Sequence, residues 1–526
     1  WVCEGCGDCG VQSNCLSVIP LETELGRKRT IDQSSCNKDF SCVKGFCPSF
    51  VTVHGAELHR PQGVAGEAEV PPLPEPQRPG LDEPYGVLVT GVGGTGVVTI
   101  GALLGMAGHI DGLGVTVLDM TGLAQKYGAV VSHVRFAQSP GEIHAVRVAA
   151  GGARLLLGCD LVVAASFDAL AKVTKGVTHA VINTHESPTG GFTRDADLTF
   201  PGQPLRDAVS GATGPDHADF LNATGLAPAL FGDSIASNMF MVGYAYQKGQ
   251  LPISAAAIER AIELNGVAVP MNHRAFRWGR RAAHDRAAVE AAAAGAAPQS
   301  AGETFTTNLD ELIAHRVGLL TTYQNAAYAG RYNALVERVR AAEAERAKGL
   351  TGLAEAVARY YYKLLAYKDE YEIARLLTDP AFEDNIRDRF EAGYSVRYHL
   401  GPPLLAATDP DTGHPIKAPY GAWMGHAMRL VAKFNWLRGT PLDPFGYSHE
   451  RRTERRLIKE YETVIGEVID GLNHDNHGLA VEIAGLPEQI RGFGYIKQRH
   501  IISAKGDEAA QLESFRNPGD TASAAE

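Results

Sequence analysis

Seven of the eight cysteines in this 526-residue chain lie before residue 48. No other feature limits its folding as strongly. A small secreted domain stapled by disulphides spreads its thiols through a chain that lacks a core, and this chain does not fit that description. Cys3, Cys6 and Cys9 run as C-x2-C-x2-C in "CEGCGDC", Cys15 follows, and Cys36, Cys42 and Cys47 complete the set in "CNKDFSCVKGFCP". The triplet lets one loop present three thiolates to three corners of an iron–sulphur cubane, with a fourth arriving from farther along. A zinc site uses two separated C-x2-C pairs and four ligands; disulphides or unligated thiols are the remaining alternatives. In segments that carry two cubanes, the last cysteine of each run crosses to the other cluster. That rule groups Cys3, Cys6, Cys9 and Cys47 for one 4Fe-4S site and leaves Cys15, Cys36 and Cys42. Those three suit a three-iron cluster, a second cubane with an outside ligand, or no second cluster, and their C-x5-C-x4-C-P spacing is irregular. Cys159, alone in "CDLVVAAS", reads as a buried strand thiol.

The remainder is rich enough in apolar residues, at 45% hydrophobic and 21% charged, to build cores of ordinary size. A net charge of −11 argues against a nucleic-acid or anionic-membrane binder, both of which need a cationic face. No uninterrupted apolar stretch reaches the roughly 18 residues of a membrane span, and no basic region precedes an apolar core as in a secretory signal. A reducing, cytoplasmic setting is expected. The opening at Trp1 reads as a piece of a longer polypeptide.

Residues 1–60 form a cysteine-rich, ferredoxin-like iron–sulphur module, and 61–84, rich in Pro and Glu, an extended semi-rigid linker. From Tyr85 to 283 the pattern is α/β. "GVLVTG", "GVTVLDM", "AVVSHVRFA", "CDLVVAAS" and "HAVINTH" are short apolar runs alternating with helical stretches, which predicts a doubly wound, mostly parallel sheet. An Ala-rich stretch at 284–303 marks a second linker. Residues 304–505 have apolar spacings near 3 and 4 and read as a mainly α-helical domain, followed by a flexible tail at 506–526.

Gly91, Gly93, Gly94 and Gly96 in "GVGGTG" stand between a strand and a helix. The G-x-G-x-x-G spacing of Gly91, Gly93 and Gly96 permits a tight turn whose bare backbone admits a phosphate to a helix N-terminus, and Asp119 ends the next strand where a ribose-binding acid belongs. The same glycines also allow close strand–helix packing with no nucleotide. Arg274, Arg277, Arg280 and Arg281 read as a solvated helix face, with phosphate or acidic-partner binding as the sharper alternative. "ERRTERRLIK" reads as an exposed face of i,i+4 pairs, His474 and His477 as solvated loop residues, and Tyr360–Tyr362 as packing one edge into a helical core.

Together, "CEGCGDCGVQSNCLSV", "QSSCNKDFSCVKGFCPSFV", "GVGGTGVVTIGALLGMAG", "GLAQKYGAVVSHVRF", "GDSIASNMFMVGYAYQKG", "YKDEYEIARLL" and "LPEQIRGFGYIK" resemble the C-terminal half of the fused bacterial indolepyruvate ferredoxin oxidoreductases, within the 2-oxoacid:ferredoxin oxidoreductase family. The resemblance implies oxidative decarboxylation of an arylpyruvate with coenzyme A and ferredoxin, thiamine diphosphate doing the carbon chemistry. It makes the α/β segment the gamma-type domain and shifts the glycine turn towards coenzyme A or a structural role. The thiamine and Mg2+ motif G-D-G followed by Asn is missing from these residues, so that part is expected upstream or on another chain, and this piece alone is not expected to decarboxylate. Expected partners are ferredoxin, the thiamine-binding half and like subunits in a homo-oligomer. Rival readings are an iron–sulphur NAD(P)- or flavin-linked electron-input subunit and a zinc-stabilised assembly module.

Overall fold

A computed structural model describes residues 2–59, 63, 73–122, 128–296, 308–402, 406–407 and 415–517. The chain divides into two compact units: Trp1–His59 with Gly190–Ala196 and Glu303–Glu526, and Arg60–Thr189 with Asp197–Gly302. Residues 64–72 of the first linker, 297–303 of the second and 518–526 of the tail lie outside the described residues.

In the first unit the cysteine segment contributes a short helix, Asp8–Ser13, and the antiparallel strands β1 (Val18–Leu21) and β2 (Lys28–Ile31). Its third strand, β3 (Val51–His54), pairs with neither of these; its partner comes from the C-terminal region, as given below.

The second unit is built on a six-stranded sheet: β4 (Tyr85–Val92), β5 (Gly114–Thr121), β6 (Ala129–Ala137), β7 (Ala153–Gly158), β8 (His179–Asn183) and β9 (Ala218–Leu221), in the order β5-β6-β4-β7-β8-β9. The β4–β7, β7–β8 and β8–β9 junctions are parallel, whereas β6 runs antiparallel to both β4 and β5. The sheet is therefore mixed, with β6 inserted between β4 and β5. Val87, Leu88 and Val89 of β4 and Leu155, Leu156 and Leu157 of β7 are fully buried, as expected of strands covered on both faces; each such side chain contributes about 1.5–3 kcal/mol. Helices Ser237–Gln247 and Val269–His284 cross closely. A Cβ on Gly243 would lie 2.0 Å from the Phe276 carbonyl oxygen, and one on Gly279 2.0 Å from that of Phe240, so two glycines fix this crossing.

The second linker is partly helical: Arg286–Ala296 forms a helix that buries Val289 and Ala293, one turn apart, in the core of this unit. The described end of the first linker has neither helix nor strand. Glu75 there accepts from Tyr246 at 2.5 Å and from Arg280 at 2.8 Å, which holds it to the unit.

Returning to the first unit, β10 (Ser395–Leu400) pairs antiparallel with β3 and with β11 (Ala418–Tyr420). The cysteine segment and the C-terminal helices, read from sequence as two domains, thus share one unit because a strand of one completes the sheet of the other. Helices Leu309–Tyr323, Ala326–Arg346, Leu353–Leu365, His449–Gly471, His477–Gly485 and Gly494–Arg516 enclose the core of this unit around Tyr332, Val339, Val357, Tyr361, Ile465 and Val468. The expected flexible tail is corrected over 506–516: the last helix runs to Arg516 because Leu512 and Phe515 are buried in that core. Residues 190–196, read as α/β, also belong here. Arg29 donates to the Ala196 carbonyl at 2.6 Å and lies over the Phe192 ring, and Thr193 donates to Asn14 at 3.1 Å.

Candidate functional site

The Cys3–Cys9 loop folds because two of its residues take a backbone that L side chains avoid. Gly5 and Gly7 have φ of 73° and 78°, and Gly7 caps the helix Asp8–Ser13 that carries Cys9. The Gly5 amide points at the Cys3 sulphur at 3.3 Å. Asp8, beside Cys9, accepts from the Phe46 amide, beside Cys47, at 2.7 Å. One carboxylate thereby ties the two ends of the cysteine segment together.

The thiols fall into two groups by mutual influence. Burial first, then Cys47 and Cys3, pushes the Cys6 thiol up to about 12; Cys9 is raised by burial and by Cys47, Cys3 and Cys6; Cys47 is raised by burial and by Cys3. Separately, Cys42 is pushed up to about 11 by burial, Cys15 and Cys36, and the Lys38 amide lies 3.4 Å from the Cys36 sulphur. The two groups are Cys3, Cys6, Cys9 and Cys47, and Cys15, Cys36 and Cys42.

Among the described residues no group of three or more His, Cys, Asp or Glu side chains converges as a single ion requires. A cubane makes a different demand, one thiolate at each of four separate irons. The donor set fits that demand: four thiols in mutual electrostatic reach, one already approached by an amide. Space at Cys6 is kept by Gly492, where a Cβ would lie 3.2 Å from Cys6 Cβ and 3.4 Å from Cys6 Sγ. Gly492 has a φ of 97° and belongs to the C-terminal region. A thiol must release its proton to serve as a ligand.

The same region lines the rest of this neighbourhood. Tyr495 packs on Phe46 with ring centroids 4.8 Å apart, Lys417 donates to the Cys47 carbonyl at 2.9 Å, and Lys368 donates to the Val2 and Cys3 carbonyls, each at 3.3 Å. Glu4, between Cys3 and Cys6 in sequence, pairs with Lys368. Against the upward push of burial, Lys368, Lys28, Lys497 and Lys363 hold its carboxyl well below the usual carboxylate range. Burial pushes Lys28 down to about 8 and Lys363 down to about 7. None of these basic residues carries a sequence motif, and the thiols' surroundings were invisible without the fold.

In the other unit, the glycine turn joins β4 to helix Val97–Ile110. Gly96, with a φ of 94°, is the helix N-cap, and Gly94, with a φ of 88°, is exposed with nothing within 4 Å of a Cβ built there. Gly91 answers to packing: its Cβ would lie 2.6 Å from Val97 Cγ2 and 3.2 Å from Cys159 Cβ. Gly93 donates to the Gly128 carbonyl at 2.8 Å. Asp119 aligns with Ser132 of β6, which aligns with Val89 of β4. A whole strand therefore separates Asp119 from the glycine-bearing strand, about 10 Å at the usual strand spacing, whereas a dinucleotide fold sets the acid on the adjoining strand. Cys159 stands just past the end of β7 rather than in a strand, since "CDLVVAAS" forms the short helix Leu161–Ala164, and its thiol is pushed up to about 12 by burial and Asp160.

Several other expectations change. Of the four arginines, Arg277 pairs with Glu259 at 2.9 Å, Arg280 with Glu75 at 2.8 Å, and Arg281 lies over the Trp278 ring. "ERRTERRLIK" is not wholly exposed: Arg451, Thr453 and Glu454 are buried, Arg451 against Glu370 at 3.2 Å. His477 is buried against Glu343 at 2.7 Å at a helix start, while His474 is exposed. Tyr361 is fully buried between the Tyr332 and Tyr461 rings.

Residues 86–282 match the family described as pyruvate ferredoxin/flavodoxin oxidoreductase, and residues 309–509 match a family of unknown function (DUF6537). The chain is similar to the indolepyruvate oxidoreductase subunit IorB of Pyrococcus horikoshii, 29% identical over 205 residues that span 38% of this chain and 96% of the relative. The subunit of the same name from Thermococcus kodakarensis is 28% identical over 205 residues, again 38% of this chain and 96% of the relative. A solved keto/oxoacid ferredoxin oxidoreductase gamma subunit from Geobacter sulfurreducens, 19% identical, covers 38% of this chain and 98% of its own, with a TM-score of 0.28.

Proposed function

The α/β segment of this chain belongs to the 2-oxoacid:ferredoxin oxidoreductase family, and from that premise we propose that the chain is the electron-transfer and gamma-type portion of an indolepyruvate ferredoxin oxidoreductase. The whole enzyme would convert an arylpyruvate, coenzyme A and oxidised ferredoxin to the arylacetyl-CoA, carbon dioxide and reduced ferredoxin, with the thiamine-binding part outside these residues. The observation that carries the reading is the pairing of a family-matched α/β unit, similar to subunits named for indolepyruvate, with a second unit holding two groups of thiols.

In this reading Cys3, Cys6, Cys9 and Cys47 hold a 4Fe-4S cluster, which when bound accepts and passes single electrons. The protein's own part is to hold the loop through Gly5 and Gly7, to couple its two ends through Asp8, and to wall it with Gly492 and Tyr495. Cys15, Cys36 and Cys42 form a second set with three sulphurs, suited to a three-iron cluster or to a cubane with a further ligand. The turn at Gly91, Gly93, Gly94 and Gly96 leaves its outer backbone open at Gly94, where a coenzyme A phosphate could approach the helix N-terminus. Among the described residues no helix is long and apolar enough to cross a membrane.

Two measurements test this. Protein purified anaerobically should contain acid-labile sulphide and roughly four irons for each cubane; about one zinc with no sulphide overturns the cluster assignment. Mixed with a thiamine-binding half, the loaded chain should restore ferredoxin reduction that requires both indolepyruvate and coenzyme A. Loaded chain that restores none overturns the enzymatic assignment.

A further inference from the structure

Resting on the assignment of a cluster to Cys3, Cys6, Cys9 and Cys47, we infer that the C-terminal region matched to a family of unknown function is the second wall of that site, and that its Lys417, together with Lys28, is the counter-charge that raises the cluster's reduction potential. The wall is contributed by residues far apart in sequence. β10 completes a sheet with β3, four residues after Cys47. Gly492 leaves the space beside the Cys6 sulphur, Tyr495 packs at a tilt against Phe46, and Lys417, just before β11, donates to the Cys47 carbonyl.

Lysines are rarely withdrawn from water without a partner, because an unpaired buried charge is costly. Most cations here have one. Lys368 pairs with Glu4, Lys497 pairs with Glu454 at 2.7 Å, and Lys363 donates to the Pro487 and Glu488 carbonyls at 2.9 and 2.7 Å. Lys417 and Lys28 differ from Lys368 and Lys497 in lacking an ion pair, and from Lys363 in facing thiols of the first set. Among the described residues neither forms an ion pair with a carboxylate, although Lys28 is buried and Lys417 partly so. The acidic groups facing Lys417 are Asp8 and the thiols of Cys47, Cys9 and Cys42, with His399 also near it. Those facing Lys28 are Glu4 and Cys3, alongside the cations Lys368 and Arg491. Among the described residues, then, Lys417 and Lys28 face thiols of the first set with no carboxylate at ion-pair distance, and Lys417 also faces Cys42 of the second.

A cluster on thiolates is anionic, and reduction adds one electron with no bond made or broken. A fixed cation stabilises the reduced state more than the oxidised one, so removing it shifts the couple towards the oxidised side.

The experiment is a redox titration of the full chain, reconstituted anaerobically and followed by electron paramagnetic resonance, with dithionite as the electron donor. Lys417→Gln should keep its iron and sulphide yet show about a tenfold lower reduced-to-oxidised ratio at a fixed potential, a midpoint about 59 mV more negative for a one-electron couple. Lys417→Arg, which keeps the charge, should stay within about threefold of the unsubstituted chain. A loaded Lys417→Gln protein with an unmoved midpoint overturns the inference, as does an arginine variant shifted as far as the glutamine one. Should Lys417→Gln take up no iron, Lys28→Gln is titrated in its place, with the same shift expected and an unmoved midpoint again overturning it. An unsubstituted chain with no acid-labile sulphide overturns the cluster assignment itself, a result distinct from a loaded but unmoved cluster.

Discussion

Replacing Arg438 with methionine should destabilise the first unit by about 3–5 kcal/mol, the cost of breaking a buried ion pair on one side. Arg438 and Asp369 are only 2% and 3% exposed. The guanidinium donates to both carboxylate oxygens, at 2.5 and 2.9 Å, and to the Tyr323 carbonyl at 2.6 Å, and it stands 3.6 Å above the Tyr323 ring. In the variant, the hydrogen bond left to the Asp369 carboxylate among the described residues comes from the Glu372 amide at 2.9 Å, the donor it uses as N-cap of helix Glu370–Leu377. One neutral donor does not balance a carboxylate cut off from water. Methionine refills the aliphatic space, so the loss comes from the stranded charge and not from a cavity.

The assay is urea unfolding followed by tryptophan fluorescence, which Trp423 and Trp436 report from this unit. The double variant Asp369→Asn with Arg438→Met, which removes the charge as well, should recover most of the loss. The neighbouring Lys368 holds the Val2 and Cys3 carbonyls and pairs with Glu4, so loosening Asp369 should also reduce iron retained by the first thiol set. A loss below about 1 kcal/mol, or a double variant no more stable than the single, would refute the reasoning.

Cys9→Ser should remove the iron signal of the first set while Cys42→Ser leaves it in place, since the two thiols belong to different groups; equal loss from both, read by iron and sulphide content, contradicts the grouping. Gly91→Ala should cost about 1–3 kcal/mol by overpacking against Val97, seen as a lower melting temperature of the α/β unit. His133 is 1% exposed in β6, and its Nδ1 accepts from the Val148 amide at 3.2 Å. Burial, with Arg147 and Lys172, pushes it from 6.5 down to about 4. The unfolded chain then binds more protons between those values, so stability is lost as pH falls from about 6.5 to about 4, by at most about 3 kcal/mol. That acid limb should flatten in His133→Gln.

How much of this was legible follows from how local each signal is. β4 and β8 announced themselves as unbroken apolar runs, because a strand covered on both faces has no polar side to show, whereas "CDLVVAAS", read as the strand between them, holds the helix Leu161–Ala164, and β7 lies just before it. The insertion of β6 between β4 and β5 had no such mark: an antiparallel strand with the same burial reads the same way, and only the register Asp119–Ser132–Val89 exposes it. Likewise 506–516 is polar enough to suggest fraying, and its order comes from two side chains, Leu512 and Phe515, that find a core formed by distant helices.

The thiol site shows the same division more sharply. The spacing Cys3, Cys6, Cys9 is a local fact and could be read directly. The surroundings that govern a cluster's behaviour are separated from those thiols by more than 350 residues, at Lys368, Lys417 and Gly492. No periodicity or motif connects them. Pairing of β3 with β10 does connect them, since it fixes the C-terminal region against the residues that follow Cys47. If the region served merely as a cap, any apolar surface would do there. On the proposed reading, a positive-φ glycine against Cys6, and Lys417 and Lys28 facing these thiols with no carboxylate at ion-pair distance among the described residues, are instead what an anionic group of some bulk would require of its container.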